Sequence, residues 1–341
     1  MRLKLITLLI ISTLTLALIA GCGGGKQNNP APNNNQAADS QQLKVALLLP
    51  GPINDMGWNA SAYEGLKKVE KDYNAQVAYR ENVAQSDMEE AFRAYAMQGY
   101  NVVIGHGFQF GDAAKKVAPQ FPKVKFVVTS SNIHQDPNLA SVNIDNEMQG
   151  FLMGAVAGLM TKSGTVAALG GQQIPPIIGS VEGFAKGAKY VNPQVKVVTT
   201  YTGSFDDVNK MKETALAIIE NQGADIIMAN ANQAGLGAIQ AAQQKKVLAI
   251  GSNTDQNAVA PDTVLVSGIK SVPVLVSFVV QKIQDGSFQP QFFNLGVKEK
   301  AVFLSPWHGF DSKVPAEVKA KLDQITKDLG DGKIDLSKLS K

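Results

Sequence analysis

The chain is short of the residues that covalent chemistry usually needs. Among its 341 residues there is one cysteine, Cys22, and there are three histidines, His106, His134 and His308, far apart in sequence. A lone cysteine excludes a disulfide within the chain and any cysteine-based metal site. No HExxH, GxSxG or Walker-type glycine loop occurs, so the familiar signatures of zinc proteases, serine hydrolases and P-loop enzymes are missing. Gly105-His-Gly107 does not extend to GxGxxG, because Phe110 stands where the last glycine would be; it reads as a tight turn. Charge is sparse as well, at 18% of residues. Without Arg2 and Lys4 the 32 basic residues fall to 30, against 29 acidic, a net charge near +1. The nominal pI of 8.7 therefore signals nothing about nucleic acid, and no basic stripe with interleaved aromatics appears. No cofactor or metal is implied.

Long apolar runs are also scarce. The single one lies at the start, from Leu5 to Ala20 behind Arg2 and Lys4. It reads as a secretory signal over residues 1–21, slightly short for a membrane span. It ends Leu18-Ile-Ala-Gly-Cys22, which resembles the lipobox of bacterial lipoproteins. That resemblance implies cleavage before Cys22, lipidation of its sulfur and new amino group, and a membrane anchor facing the extracytoplasmic side. Residues 22–42, rich in Gly, Asn, Gln and Pro, have little to bury and read as a disordered tether.

What the chain has in quantity is alternation. From Leu43 onward, short apolar runs of strand length alternate with amphipathic segments. The first run, Leu43–Leu49, suits a strand buried on both faces. A loop, Gly51-Pro-Ile-Asn-Asp-Met-Gly-Trp-Asn59, and a helix from about Ala60 to Asp72 follow. Ser86 with Glu89 three residues on reads as a capping box for a helix to Met97, ended by Gly99. Asp145 reads as the N-cap of a helix through Met160, and the adjacent Asp206-Asp207 as the start of another. The rhythm restarts at Gly164, and an amphipathic helix is expected over 314–330. Two runs of strand–helix alternation predict an α/β protein of two doubly wound parallel-sheet lobes joined by a hinge. The expected partition is 43–147 plus 255–286 for lobe 1, 148–254 plus 287–312 for lobe 2, and 313–341 as a helical tail.

Ligands of open α/β sheets sit at the carboxyl ends of the strands. The candidates there are Asp55, Trp58 and Asn59; His106 and Phe108; Asp145; Gln172 and Gln173; Phe205 and Asp206; Asn230 and Asn232; Asn253 and Asp255; and Lys270. The set is rich in carboxamides and rings and poor in nucleophile–base pairs. Such a set recognises a flat polar molecule rather than transforming it. The competing reading of the first loop is that Asp55 or Asn54 caps the helix and Trp58 packs against the lobe.

The motifs Asn54-Asp-Met-Gly-Trp-Asn-Ala-Ser-Ala-Tyr-Glu-Gly-Leu66, Gly105-His-Gly-Phe108, Gly150-Phe-Leu-Met-Gly-Ala-Val-Ala-Gly158, Gly170-Gly171, Gly183-Phe184, Gly187-Ala188, Tyr201-Thr-Gly-Ser-Phe-Asp-Asp207, Gly223-Ala-Asp225 and Ser267-Gly-Ile-Lys270, in this order, resemble the basic-membrane-protein (PnrA-like) family of lipoproteins. The resemblance spans about Leu43 to Phe310. It implies a type I periplasmic-binding fold with the ligand between the lobes. It also implies a purine nucleoside or nucleobase as ligand, an ABC permease and ATPase as partners, and a monomeric binding protein. By position, Trp58 falls where the family often has a stacking phenylalanine, and Asn59 and Lys270 match a pocket amide and a pocket lysine. Asn253 falls where nucleoside-binding members usually have an aspartate gripping the ribose hydroxyls, and Ser180 where many have an aromatic residue. These two departures make a bare base, or another small heteroaromatic, a competitor to the nucleoside.

Overall fold

A computed structural model of the chain describes residues 42–55 and 57–340. The expected leader, Cys22 and the tether up to residue 41 lie outside the described residues. Among the described residues no helix is long and apolar enough to cross a membrane.

Six strands form the first sheet: β1 (Lys44–Leu48), β2 (Gln76–Arg80), β3 (Val102–Gly105), β4 (Lys125–Thr129), β5 (Leu139–Ile144) and β11 (Phe292–Leu295). Their order is β11-β5-β4-β3-β1-β2, and every pairing is parallel. The second sheet holds β6 (Thr165–Gly170), β7 (Lys196–Tyr201), β8 (Ile226–Asn230), β9 (Leu248–Asn253), β10 (Val264–Lys270) and β12 (Val302–Leu304). Its order, β12-β10-β9-β8-β6-β7, repeats that of the first sheet, except that β12 runs antiparallel at the edge. The inner strands are buried on both faces, as β3 and β6 are over their whole length, which is why they read as unbroken apolar runs.

Nine α-helices occur in the described residues, eight between strands and the last after β12. They are α1 (Trp58–Tyr73), α2 (Met88–Met97), α3 (Gly111–Val117), α4 (Asn146–Met160), α5 (Pro175–Val191), α6 (Val208–Gln222), α7 (Gly235–Lys245), α8 (Val272–Gln284) and α9 (Ala316–Gly330). Asp145 caps α4 by accepting from Met148 N, and Asp207 caps α6 by accepting from Lys210 N. Gly99, at φ +78°, follows α2 as a helix-ending glycine should. The capping box at Ser86 does not form. Residues 85–87 make a turn of 3₁₀ helix, α2 starts at Met88, and the Ser86 hydroxyl donates to Asp87 Oδ1 instead.

The glycines of α4 and α5 exist for contact. A Cβ on Gly154 would stand 2.0 Å from Phe184 O, and one on Gly187 would stand 2.0 Å from Phe151 O. The two helix backbones therefore approach as closely as they can, which locks the start of the second lobe. Helix α9 buries Val318, Leu322, Ile325 and Leu329 in the same core cluster as α4, so the tail packs on the body.

The chain passes between sheets at Asp145, at Ser271, and between β11 and β12. The strand pairing corrects the expected partition at two places. Strand β10 lies in the second sheet beside β9, not in the first lobe. Strand β11 lies in the first sheet beside β5, not in the second lobe. The sequence rhythm marks elements but not which sheet a strand joins, and the third crossing falls after β11 rather than before it.

Candidate ligand cleft

A cavity of about 390 Å³ opens between the lobes, lined by the strand ends of both sheets. From the first lobe come Asp55, Trp58, Asn59 and Phe108; from the second, Phe205, Asp206, Asn230, Asn232, Asn253 and Lys270. Four lining residues (Asn82, Ser130, Asn232 and Asn253) adopt positive φ without being glycine. Strain of this kind persists where a side chain is wanted at a sharp turn.

Trp58 and Asn59 form the first turn of α1 rather than a loop. Asp55 makes that turn possible. Its Oδ1 accepts from Gly57 N and Ala60 N, and its Oδ2 accepts from Asn59 N and Asn59 Nδ2, all within 3.0 Å. The carboxylate neutralises the open N–H groups of the helix start, so Asp55 borders the cavity with its charge already committed. Asn59, 3% exposed, keeps one unspent group: its Oδ1 has no partner among the described residues.

His106 does not reach the cavity. It lies fully buried behind Trp58, with ring centroids 4.3 Å apart and planes 23° from parallel. Gly107 N donates to Thr129 Oγ1, so the Thr129 hydroxyl is free to donate to His106 Nδ1 at 3.1 Å; the other ring nitrogen, Nε2–H, donates to Trp58 O at 3.1 Å. Burial holds its pKa down at about 3, and the ring is neutral. His106 covers one face of the indole, and the Lys270 ammonium also stands over the ring.

The second lobe supplies carboxamides. Asn230, Asn253 and Lys270 end the adjacent strands β8, β9 and β10. Asn253 Nδ2 donates to Asn230 Oδ1 at 3.3 Å. Asn230 Nδ2, in a residue 1% exposed, has no partner among the described residues. Gln149, fully buried on α4, donates to Gly268 O at 2.8 Å and lies 3.5 Å from Asn253 Oδ1, bracing that strand end. Phe205 packs over Gly171, where a Cβ would stand 2.6 Å from the ring, and the Tyr201 ring crowds Gly170 at the end of β6; the two rings explain the paired glycines.

Lys270, 4% exposed, donates to Asn146 Oδ1 at 3.0 Å, and its ammonium stands 4.9 Å from the Trp58 ring centroid. Burial lowers its pKa to about 7. It joins a β10 end to the first turn of α4 and to α1, so it spans the cleft.

The other expected residues lie elsewhere. Asp145 and Gln172 border a second, wider groove of about 940 Å³, which shares Phe108 and Phe205 with the first cavity. Asp145 is spent as the α4 cap and as acceptor from Asn294 Nδ2, and burial raises its pKa. Asp255 pairs with His308 at 2.6 Å, and Gln173 is exposed; neither borders a cavity described here. Ser180 is fully buried and donates to Gln149 Oε1. Among the described residues no cluster of three or more His, Cys, Asp or Glu could hold a metal ion. Asn82, Ser130, Asn146 and Gln149 were missed in the sequence. Ser130 directly follows β4, and Asn82 and Asn146 lie two residues past β2 and β5, within reach of the rule that located the others; Gln149 is interior to α4 and carries no such mark.

Comparison with known proteins agrees with this geometry. Residues 42–333 match the family model described as ABC transporter substrate-binding protein PnrA-like. The chain is 30% identical over 307 residues to the transcriptional activator protein med of Bacillus subtilis (strain 168), covering 88% of this chain and 91% of that protein. It is 29% identical over 357 residues to the ABC transporter nucleoside-binding protein BmpA of Lactococcus lactis subsp. cremoris (strain MG1363), covering 98% and 99%. A solved ABC transporter solute-binding protein from Aeropyrum pernix K1 superposes with a TM-score of 0.77 at 22% identity, covering 86% and 92%. That likeness establishes the type I periplasmic-binding fold.

Proposed function

Since the chain belongs to the PnrA-like (basic membrane protein) family of ABC transporter substrate-binding proteins, we propose that it captures a purine nucleoside or related heteroaromatic compound between its lobes and hands it to a membrane permease. The observation that carries the reading is the cavity itself. Rings from both lobes border it, together with carboxamides from both, Asn59 and Asn230. An acceptor and a donor among rings complement the edge of a planar base. Closure follows from differential affinity, since only the shut form touches the ligand with both lobes. Cys22 and the tether support a lipid-anchored, extracytoplasmic protein working as a monomer with a permease and an ATPase. The ligand leaves unaltered.

A second reading, capture of the ligand for sensing without transport, is favoured by the Bacillus subtilis relative that is named as a transcriptional activator. Both readings share the cleft. The full chain, purified in detergent, is titrated with a panel of nucleosides and nucleobases while its melting is followed. A ligand present at a hundred times its Kd should stabilise the protein by about 2.7 kcal/mol. A panel that leaves the melting temperature unmoved rejects the purine ligand. Loss of purine uptake when the gene for this chain is deleted, restored by the intact chain, supports transport over sensing.

A further inference from the structure

Lys270 is buried in the cleft wall with a carboxamide, not a carboxylate, beside its ammonium. The carboxylate lies further along, at the end of a string of side chains. Lys270 Nζ donates to Asn146 Oδ1 at 3.0 Å, and Asn146 Nδ2 donates to Asn143 Oδ1 at 3.2 Å. Asn143 Nδ2 then donates to Asn294 Oδ1 at 2.8 Å, and Asn294 Nδ2 to Asp145 Oδ2 at 2.9 Å. An ammonium only donates and a carboxylate only accepts, so the two ends fix the orientation of all three amides. Each amide accepts at its oxygen and donates from its nitrogen, the arrangement in which successive hydrogen bonds polarise and strengthen one another.

The string touches every passage between the sheets. Asn143 and Asn146 flank the first at Asp145, Lys270 precedes the second at Ser271, and Asn294 lies near the end of β11, before the third. Backbone bonds tie the same points, since Asp145 N donates to Leu295 O and Ser271 N to Ala301 O, both at 2.8 Å. Asn143 and Asn294 belong to the first sheet, Lys270 to the second, and Asn146 to α4 on the second lobe. The Asn146–Asn143 bond is therefore where the string crosses from lobe to lobe. Of the four donors only Lys270 borders the ligand cavity; the three asparagines border the outer groove. Net of water such bonds add little to the stability of a fold, but the open and closed positions of a hinged protein also differ by little.

We propose that Asn143, Asn146 and Asn294 are positioning residues for ligand capture, holding the lobes at the angle at which Lys270 and Trp58 face one cavity. The string also makes that angle answer to the pocket. A ligand that accepts from Lys270 shares the ammonium with Asn146 Oδ1, and the change passes through the amides to all three passages. The inference holds for any ligand that meets Lys270, neutral ones included, and does not depend on the purine reading.

Asn294 and Lys270 share no hydrogen-bond partner, so unless the string couples them their effects should add. The test uses the empty full chain carrying Cys22→Ser, with spin labels on Met97→Cys in α2 and Asn221→Cys in α6, one exposed position on each lobe. Pulsed dipolar spectroscopy should give one narrow distribution of distances between the labels. Asn294→Ala should widen it about twofold. Asn294→Asp, which keeps the size but cannot donate to Asp145, should do the same, as should Lys270→Met. The double variant Asn294→Ala with Lys270→Met should widen it no further than either alone. Asn132→Ala, in the same groove but outside the string, should leave the width unchanged. A width that Asn294→Ala and Asn294→Asp leave unaltered, or effects that add in the double variant, overturn the proposal.

Discussion

The two lobes share one topology and contribute unequally to the cleft. On the first lobe most polar groups are already used. Asp55 is saturated by the start of α1, His106 is locked between Thr129 and the Trp58 carbonyl, and what faces the ligand is mainly ring. On the second lobe the strand ends bring polar side chains to the cavity: Asn230, Asn253 and Lys270, whose ammonium has a carboxamide oxygen and a ring rather than a carboxylate beside it. The first lobe is a stiff platform and the second reads polarity. Two copies of the same fold divide the work because rigidity needs polar groups spent within the fold and recognition needs them at the cavity.

Substitutions on either side should break this contrast in different observables. The largest effect should come from Lys270, through pH. Burial depresses its pKa in the folded protein to about 7, below the ordinary value of 10.5. Between those values the unfolded chain binds more protons, so this group's contribution to stability rises with pH over that window, by a few kcal/mol at most. Melting curves of Lys270→Met against the unaltered chain from pH 7 to 10.5 should show that rise removed. His106 has the same sign at lower pH. Its depressed value of about 3, against 6.5, means stability is lost as pH falls through that interval.

Next is the platform. Trp58→Ala should weaken purine binding by about 2 kcal/mol, roughly thirtyfold, as buried aromatic anchors do, measured by calorimetry. Asp55→Ala should act differently. It should cost about 1–2 kcal/mol of stability, as lost caps do, seen as a lower melting temperature before any ligand is added. The smallest effect should be at Asn230→Ala, about 1 kcal/mol or fivefold in affinity. Its melting temperature should shift less than that of Asp55→Ala. If Asn230→Ala instead destabilises the empty protein more than Asp55→Ala, the division of labour between the lobes is wrong.

Much of the fold was legible in the sequence because buried parallel strands are apolar on both faces and stand out from amphipathic helices. Asp145 and Asp207 were readable as caps because a carboxylate before an apolar periodic run has few other uses. What was not legible followed from context. Strand β11 lies in a stretch rich in Gln and Pro, and β12 has three residues; neither carries a pattern long enough to detect. The capping box at Ser86 matched in spacing, but a 3₁₀ turn displaced it. In the cleft, position after a strand found Asp55, Phe108, Phe205, Asn230, Asn253 and Lys270. The same rule could not tell that His106 points behind Trp58, or that Asp145 is consumed as a cap beside the outer groove. Asn146 and Gln149 act through Lys270 and Asn253, contacts made across 124 and 104 residues of chain, which no local pattern encodes.

The most direct measurement uses the tryptophans. The chain has two, and Trp307→Phe leaves Trp58 as the sole indole. Titrating that variant with the purine panel should change Trp58 emission saturably, with the midpoint matching the calorimetric Kd, because Trp58 lines the cavity that holds the ligand. Emission that stays constant while calorimetry registers binding would place the ligand outside the cleft and contradict the account.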